Sequence, residues 1–163
     1  KIVVVGLSMG GALTLWLASR HADLSGIVCI NPTTKSSASK LAGARLAVKT
    51  GKKSLPAIGS DISDPSVKES SYDATPLAAA VSLFADGLKP LSKTYGSIKV
   101  PLLLFTATND HVVNPKESDF LASKYAGSVE RVTLERSFHV ATQDVEKETI
   151  HAKALEFAKR VTA

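Results

Sequence analysis

The chain has 163 residues, 44% hydrophobic and 21% charged, and carries a formal net charge of +5. That length supports one domain with a real core and is short for two. No apolar run approaches the roughly 18 residues of a transmembrane helix, so stable membrane insertion is not expected, and a single cysteine, Cys29, excludes a disulfide within the chain.

Ile2–Val5 is continuously apolar and reads as a buried parallel strand. Gly6-Leu7-Ser8-Met9-Gly10 follows, then a helix-like stretch from Ala12 to Arg20 with Leu13, Trp16, Leu17 and Arg20 at helical spacing. Gly6 and Gly10 are expected where a side chain would crowd the turn, and Gly10 and Gly11 where the helix packs closely. Leu24–Ile30 reads as a second strand, stopped by Asn31-Pro32, with Cys29 as a buried, inert thiol. Such a thiol is compatible with a cytoplasmic protein.

From residue 32 to about 97 the pattern changes, and no strand is evident. Lys35, Lys40, Arg45, Lys49, Lys52 and Lys53 fall in a stretch without acidic residues between Thr33 and Ser60. This run reads as a solvated face, with attraction to an anionic substrate or interface as the alternative. No aromatic residues interleave it, which argues against a nucleic-acid surface. Asp64-Pro65 and Thr75-Pro76 each offer a helix N-cap followed by proline. Leu77, Val81, Phe84, Leu88 and Leu91 then repeat as one helical face, ended or kinked near Gly87 to Pro90.

Val100–Ala107 is the third strand. A helix starts at Asn114-Pro115 and closes at Gly127, Val129–Leu134 is the fourth strand, and a last helix runs from about Asp144 to Val161. Strands alternating with helices imply a parallel sheet with right-handed crossovers. The divisions are 1–31 and 98–163 for the core and 32–97 for a helical insertion.

A strand, a G-x-S-x-G turn and a helix together make a nucleophile elbow, with the serine on a strained turn at the strand's C-terminal end. Serine needs a base to take its proton, usually histidine, and the histidine needs a carboxylate to orient it. Asp110, just beyond the third strand, is the acid candidate; Asp86, Asp119 and Asp144 are poorer ones. His139, between the fourth strand and the last helix, is the base candidate, with His111 as runner-up. His21 and His151 read as structural or surface residues. The Met9 backbone N–H, at the start of the helix after Ser8, is placed to stabilise an oxyanion. No His, Cys or carboxylate cluster has metal-ligand spacing and no phosphate loop occurs, so neither metal nor cofactor is expected.

With these residues placed, the chain resembles the bacterial carboxylesterases and monoacylglycerol lipases of the α/β-hydrolase superfamily. Gly6-Leu7-Ser8-Met9-Gly10-Gly11 is similar to that family's elbow, and Asn109-Asp110-His111-Val112-Val113-Asn114-Pro115 to its D-x-x-V-x-P acid loop. Ser137-Phe138-His139-Val140 is similar to its S-x-H-V base loop, with Phe138 where glycine is common. The resemblance implies an α/β fold in which residues 32–97 form a small cap. It implies hydrolysis of carboxylic esters, of short to medium acyl length or monoacylglycerols, through an acyl-enzyme with Ser8, Asp110 and His139 as the triad. A thioesterase, serine peptidase or acyltransferase could use the same triad, and a non-catalytic binding protein could use the same fold. Leu83 and Phe84 are candidates for lining an acyl pocket; the other reading is that their helix only packs the cap down.

The first residue already lies in the elbow strand, which in this fold runs mid-sheet. The chain is therefore expected to be the C-terminal part of a larger catalytic domain, with several strands and helices, on the order of ninety residues, preceding Lys1. The resemblance puts a second oxyanion donor in that earlier part. A chain with one donor is expected to lose on the order of 10²–10³ in turnover, so residues 1–163 alone are expected to be weakly active or inactive.

Overall fold

Val3–Leu7 forms strand β1, and the computed structural model describes it and all the rest of residues 1–163 except the side chain of Lys40. Helix α1 (Met9–Ala18) leads into β2 (Gly26–Ile30). Helix α2 (Ala38–Lys49), strands β3 (Ser54–Pro56) and β4 (Ala74–Pro76), and helix α3 (Leu77–Ser82) follow. A π-helical turn, Leu83–Leu88, joins α3 to the short α4 (Lys89–Leu91). β5 (Leu102–Ala107), α5 (Lys116–Lys124), β6 (Val129–Leu134) and α6 (Lys147–Thr162) complete the core.

The four main strands form one parallel sheet in the order β1-β2-β5-β6. Every residue of β2 and β5 is buried, as continuous apolar runs require when helices cover both faces. Alternate side chains serve opposite layers. Ile27, Cys29, Leu102 and Leu104 face a core that includes Leu15, Leu88, Tyr95 and Leu121. Val28, Ile30, Leu103 and Phe105 face a second core with Leu134, Ile150 and Phe157. Burial pushes the Cys29 thiol well above its ordinary range, consistent with an inert cysteine.

Several sequence expectations are corrected. α1 buries Gly11, Ala12, Leu15 and Ala18 and leaves Leu13 and Trp16 exposed, with the Arg20 guanidinium over the Trp16 ring. A Cβ on Gly6 would lie 2.2 Å from the Gly10 carbonyl oxygen, and one on Gly11 2.7 Å from Pro32, but one on Gly10 meets nothing within 4 Å. Gly10 therefore contributes its backbone to the close approach, not the lack of a side chain.

The insertion is not all helical, because β3 and β4 pair antiparallel. Three-residue strands containing proline carry no periodicity to read. Asp64-Pro65 starts no helix; Asp64 Oδ1 instead accepts the Ser66 N–H and hydroxyl in a turn. Thr75 and Pro76 lie in β4, and the first free N–H of α3, on Leu77, donates to Lys53 O. The expected kink is the π-turn. Pro90 has no N–H for the carbonyl four residues back, at Asp86, and the widened turn sits directly ahead of it. Leu77, Leu88 and Leu91 are buried, while Val81 and Phe84 are half-buried. Arg45, Lys49, Lys52 and Lys53 are exposed. Among the described residues, no helix is long and apolar enough to cross a membrane.

Candidate active site

The site lies at the C-terminal ends of β1, β2, β5 and β6, where parallel α/β sheets gather functional groups. Ser8 follows β1 with φ 55° and ψ −117°, a conformation that non-glycine residues rarely adopt. Three backbone bonds hold it there. The Ser8 N–H donates to Ile30 O at 2.9 Å, and the Ser8 carbonyl accepts from Ala12 and Thr33, each at 3.2 Å. The turn is thus clamped between α1 and the end of β2.

Asp110 follows β5, and its side chain is 2% exposed. Oδ1 accepts the N–H groups of Val112 and Val113, both at 2.8 Å. Oδ2 lies 2.7 Å from His139 Nδ1, and the His139 side chain is 8% exposed. A carboxylate can only accept, so Nδ1 carries the proton and Nε2 is left as the basic nitrogen. His111, adjacent in sequence to Asp110, points elsewhere. Its Nδ1 lies 2.8 Å from Asp61 Oδ1, and its ring packs edge-on against Phe138. His21 and His151 are on the surface.

A cavity of about 440 Å³ opens beside the elbow. Ser8 and Met9 form one wall, Val112 and Val113 of the loop after β5 another, and Ala79, Ala80, Leu83 and Phe84 a third. The structure therefore brings Ser8, Met9, Leu83 and Phe84 to one space, and joins His139 to Asp110 between the loops after β6 and β5.

Four polar residues hold these loops in a way the sequence did not indicate: Asn31 reads there only as a strand stop and Asp144 only as a poorer acid candidate, while Asp61 and Glu146 are not singled out. Asn31, at a φ of 44°, donates from Nδ2 to His139 O at 2.8 Å and accepts the Ala107 N–H on Oδ1, also at 2.8 Å. It ties the end of β2, and with it the elbow, to the end of β5 and to the loop after β6. Asp144 accepts the N–H of Phe138 and the N–H and hydroxyl of Ser63. Glu146 accepts the N–H and hydroxyl of Ser137 and the N–H of Arg136. Asp61 accepts from His139 and His111. The one available signal was a polar residue directly after a fully apolar strand, at Asn31; the three carboxylates have no sequence pattern.

Partial burial of Asp61, Asp144 and Glu146 raises their pKa values, but the hydrogen bonds they accept outweigh it and hold all three below their ordinary values of 3.8, 3.8 and 4.5. Each therefore binds its proton more readily unfolded than folded, and contributes stability that is complete above its ordinary value and lost as pH falls through the lower folded value. The melting temperature is therefore expected to decline as pH falls through and below the ordinary carboxylate range of these three groups. Glu146→Gln, which removes one of the three, should flatten that fall in a series of melts.

A strand–serine turn–helix with a paired aspartate and histidine on the loops after later strands is the arrangement of an α/β-hydrolase. A family model described as serine aminopeptidase, S33 matches residues 1–146, and the chain belongs to that hydrolase family. It is 39% identical over 161 residues to the thermostable monoacylglycerol lipase of Bacillus sp. (strain H-257), covering 96% of this chain and 62% of that protein. A solved structure from work on LipS and LipT, two metagenome-derived lipolytic enzymes, is 34% identical with a TM-score of 0.88, covering 97% of this chain and 64% of that one. The monoacylglycerol lipase of Paleococcus ferrophilus is 21% identical with a TM-score of 0.73, covering 99% of this chain and 68% of that one, and shows the shared fold. The chain thus spans somewhat less than two thirds of the length of the first two of these relatives.

Proposed function

We propose that the complete protein hydrolyses carboxylic esters of short to medium acyl chains, or monoacylglycerols, through an acyl-enzyme. The observation that carries this reading is the strained Ser8 opening onto an apolar cavity, with a histidine held by a buried carboxylate on the adjoining loops. Ser8 Oγ attacks the ester carbonyl and its proton passes to His139 Nε2. The Met9 N–H stabilises the oxyanion. The intermediate collapses, the C–O bond breaks, and His139 returns the proton to the leaving alcohol. Water then attacks the acyl-enzyme with His139 again as base, releasing the acid and Ser8. Asp110 holds the imidazole tautomer and stabilises the imidazolium. No cofactor takes part.

The family description names an aminopeptidase, which would need a free carboxylate for a substrate ammonium. Glu117 lies on the cavity wall, but its Oε2 already accepts the Thr34 N–H at 2.8 Å and its backbone carbonyl the Thr34 hydroxyl at 2.9 Å. A carboxylate bonded in this way keeps acceptor sites on Oε1, so the choice between ester and peptide rests on the assay and not on Glu117.

The test compares p-nitrophenyl esters of increasing acyl length, a monoacylglycerol, an acyl-CoA and an aminoacyl peptide. Esters should be turned over fastest, and each methylene buried in the cavity should add up to ~0.8 kcal/mol of binding. Phe84→Ala should move the preferred acyl length upward. Preference for the acyl-CoA or peptide would replace the ester reading. An unchanged optimum with a lowered Tm would make Phe84 a packing residue only.

A further inference from the structure

Asp61 belongs to the insertion, yet it bonds to both loops that carry the His139–Asp110 pair. Oδ2 accepts the His139 N–H at 3.0 Å and the His111 N–H at 3.2 Å. Oδ1 takes the His111 ring nitrogen at 2.8 Å, and the Asp61 backbone carbonyl accepts the Val140 N–H at 3.0 Å. The loop from Gly59, at a φ of +81°, through Ser63 lies against these loops, and Ser63 is bonded in turn to Asp144. Residues 61 and 139 are 78 positions apart in the chain, so nothing local aligns them.

We infer that Asp61 is a positioning residue for His139: by holding the main-chain N–H groups of His139 and His111 on one carboxylate oxygen, it sets the separation of the acid and base loops. Rotation about the base-loop backbone would carry the imidazole away from Asp110 Oδ2, and the adjoining acid-loop N–H sits on the same oxygen, so the 2.7 Å contact between the pair is set from outside either loop. The insertion that lines the cavity thereby also aligns the base. This rests on His139 acting as the base, but its structural half does not.

The experiment uses the complete protein as wild type, Asp61→Ala, Asp61→Asn and His111→Ala. It reads kcat and KM on a short p-nitrophenyl ester, Tm, and the downfield proton NMR resonance of the His139 Nδ1–H bonded to Asp110. Asp61→Ala should lower kcat ten- to a hundredfold, leave KM within twofold, and weaken or abolish the downfield resonance. Asp61→Asn keeps an acceptor for the His139 N–H and should recover most of the loss and the resonance. His111→Ala keeps both backbone bonds and should fall threefold at most. An Asp61→Ala protein with wild-type kcat and an intact resonance overturns the inference. So does an Asp61→Asn protein as impaired as Asp61→Ala at a wild-type Tm, or a His111→Ala loss as large as that of Asp61→Ala. Should Asp61→Ala melt below the assay temperature, the Asp61→Asn resonance decides: intact supports the inference, absent in a folded protein overturns it. Should the wild type cleave no ester, the proposed activity fails, while the resonance in wild type and Asp61→Ala still decides whether Asp61 aligns the pair.

Discussion

Ser8→Ala, His139→Ala and Asp110→Asn should each lower ester turnover of the complete protein by roughly 10⁴-fold or more, without unfolding it. In the proposed mechanism Ser8→Ala removes the attacking oxygen and His139→Ala the proton acceptor. Asp110→Asn acts differently. Its Oδ1 position accepts two backbone N–H groups, from Val112 and Val113, so an asparagine there must keep its oxygen on that side. Its NH₂ would then face His139 Nδ1 as a donor. The imidazole would be forced to carry its proton on Nε2, the nitrogen that must receive the Ser8 proton. The change is one atom, but the tautomer is inverted. Combining Ser8→Ala with His139→Ala should cost little more than either alone, because the groups act as a unit. Steady-state rates on one activated ester, with circular dichroism as the folding control, make the check. A His139→Ala protein of near-normal activity would move the base to His111, whose ring nitrogen is occupied by Asp61.

Gly6→Ala should be the most damaging single methyl group that can be added to this chain's elbow. Its Cβ would sit 2.2 Å from Gly10 O, 2.4 Å from Gly10 C and 2.5 Å from Thr14 Oγ1. None of these can swing aside. Two are backbone, and Thr14 Oγ1 is itself bonded to Gly10 O at 2.9 Å. Relief requires moving the first turn of α1, and that turn carries Ser8 and Met9. The expected cost is about 3 kcal/mol or more, on the order of 10 °C in Tm for a protein of the relatives' size, together with loss of most activity. Gly10→Ala meets no atom within 4 Å and should cost far less stability. Parallel melts of the two variants test the difference; equal losses would mean that the turn tolerates neither methyl for a reason other than contact.

The α/β class and the four sheet strands were legible in the sequence. Those features are written locally. The continuous apolar run Leu102–Phe105 is a strand buried on both faces as read, whereas Ile2 and Val5 of the first such run are exposed; Gly6 of the elbow marks a close approach with no room for a side chain, and Gly10 does not. Asp110 and His139 were legible as candidates because each follows a strand in the right order. That His139 and not His111 faces Asp110 was decided by the tertiary structure, since adjacent loop residues differ only in the direction the backbone gives them. The β3–β4 pairing, the π-turn before Pro90 and the exposure of Leu13 and Trp16 also escaped the sequence, because each depends on what lies opposite and not on the residue's own neighbours. The same holds for Asn31, Asp61, Asp144 and Glu146. Their hydrogen bonds span up to 108 positions, and a lone polar side chain announces no partner until the fold supplies one.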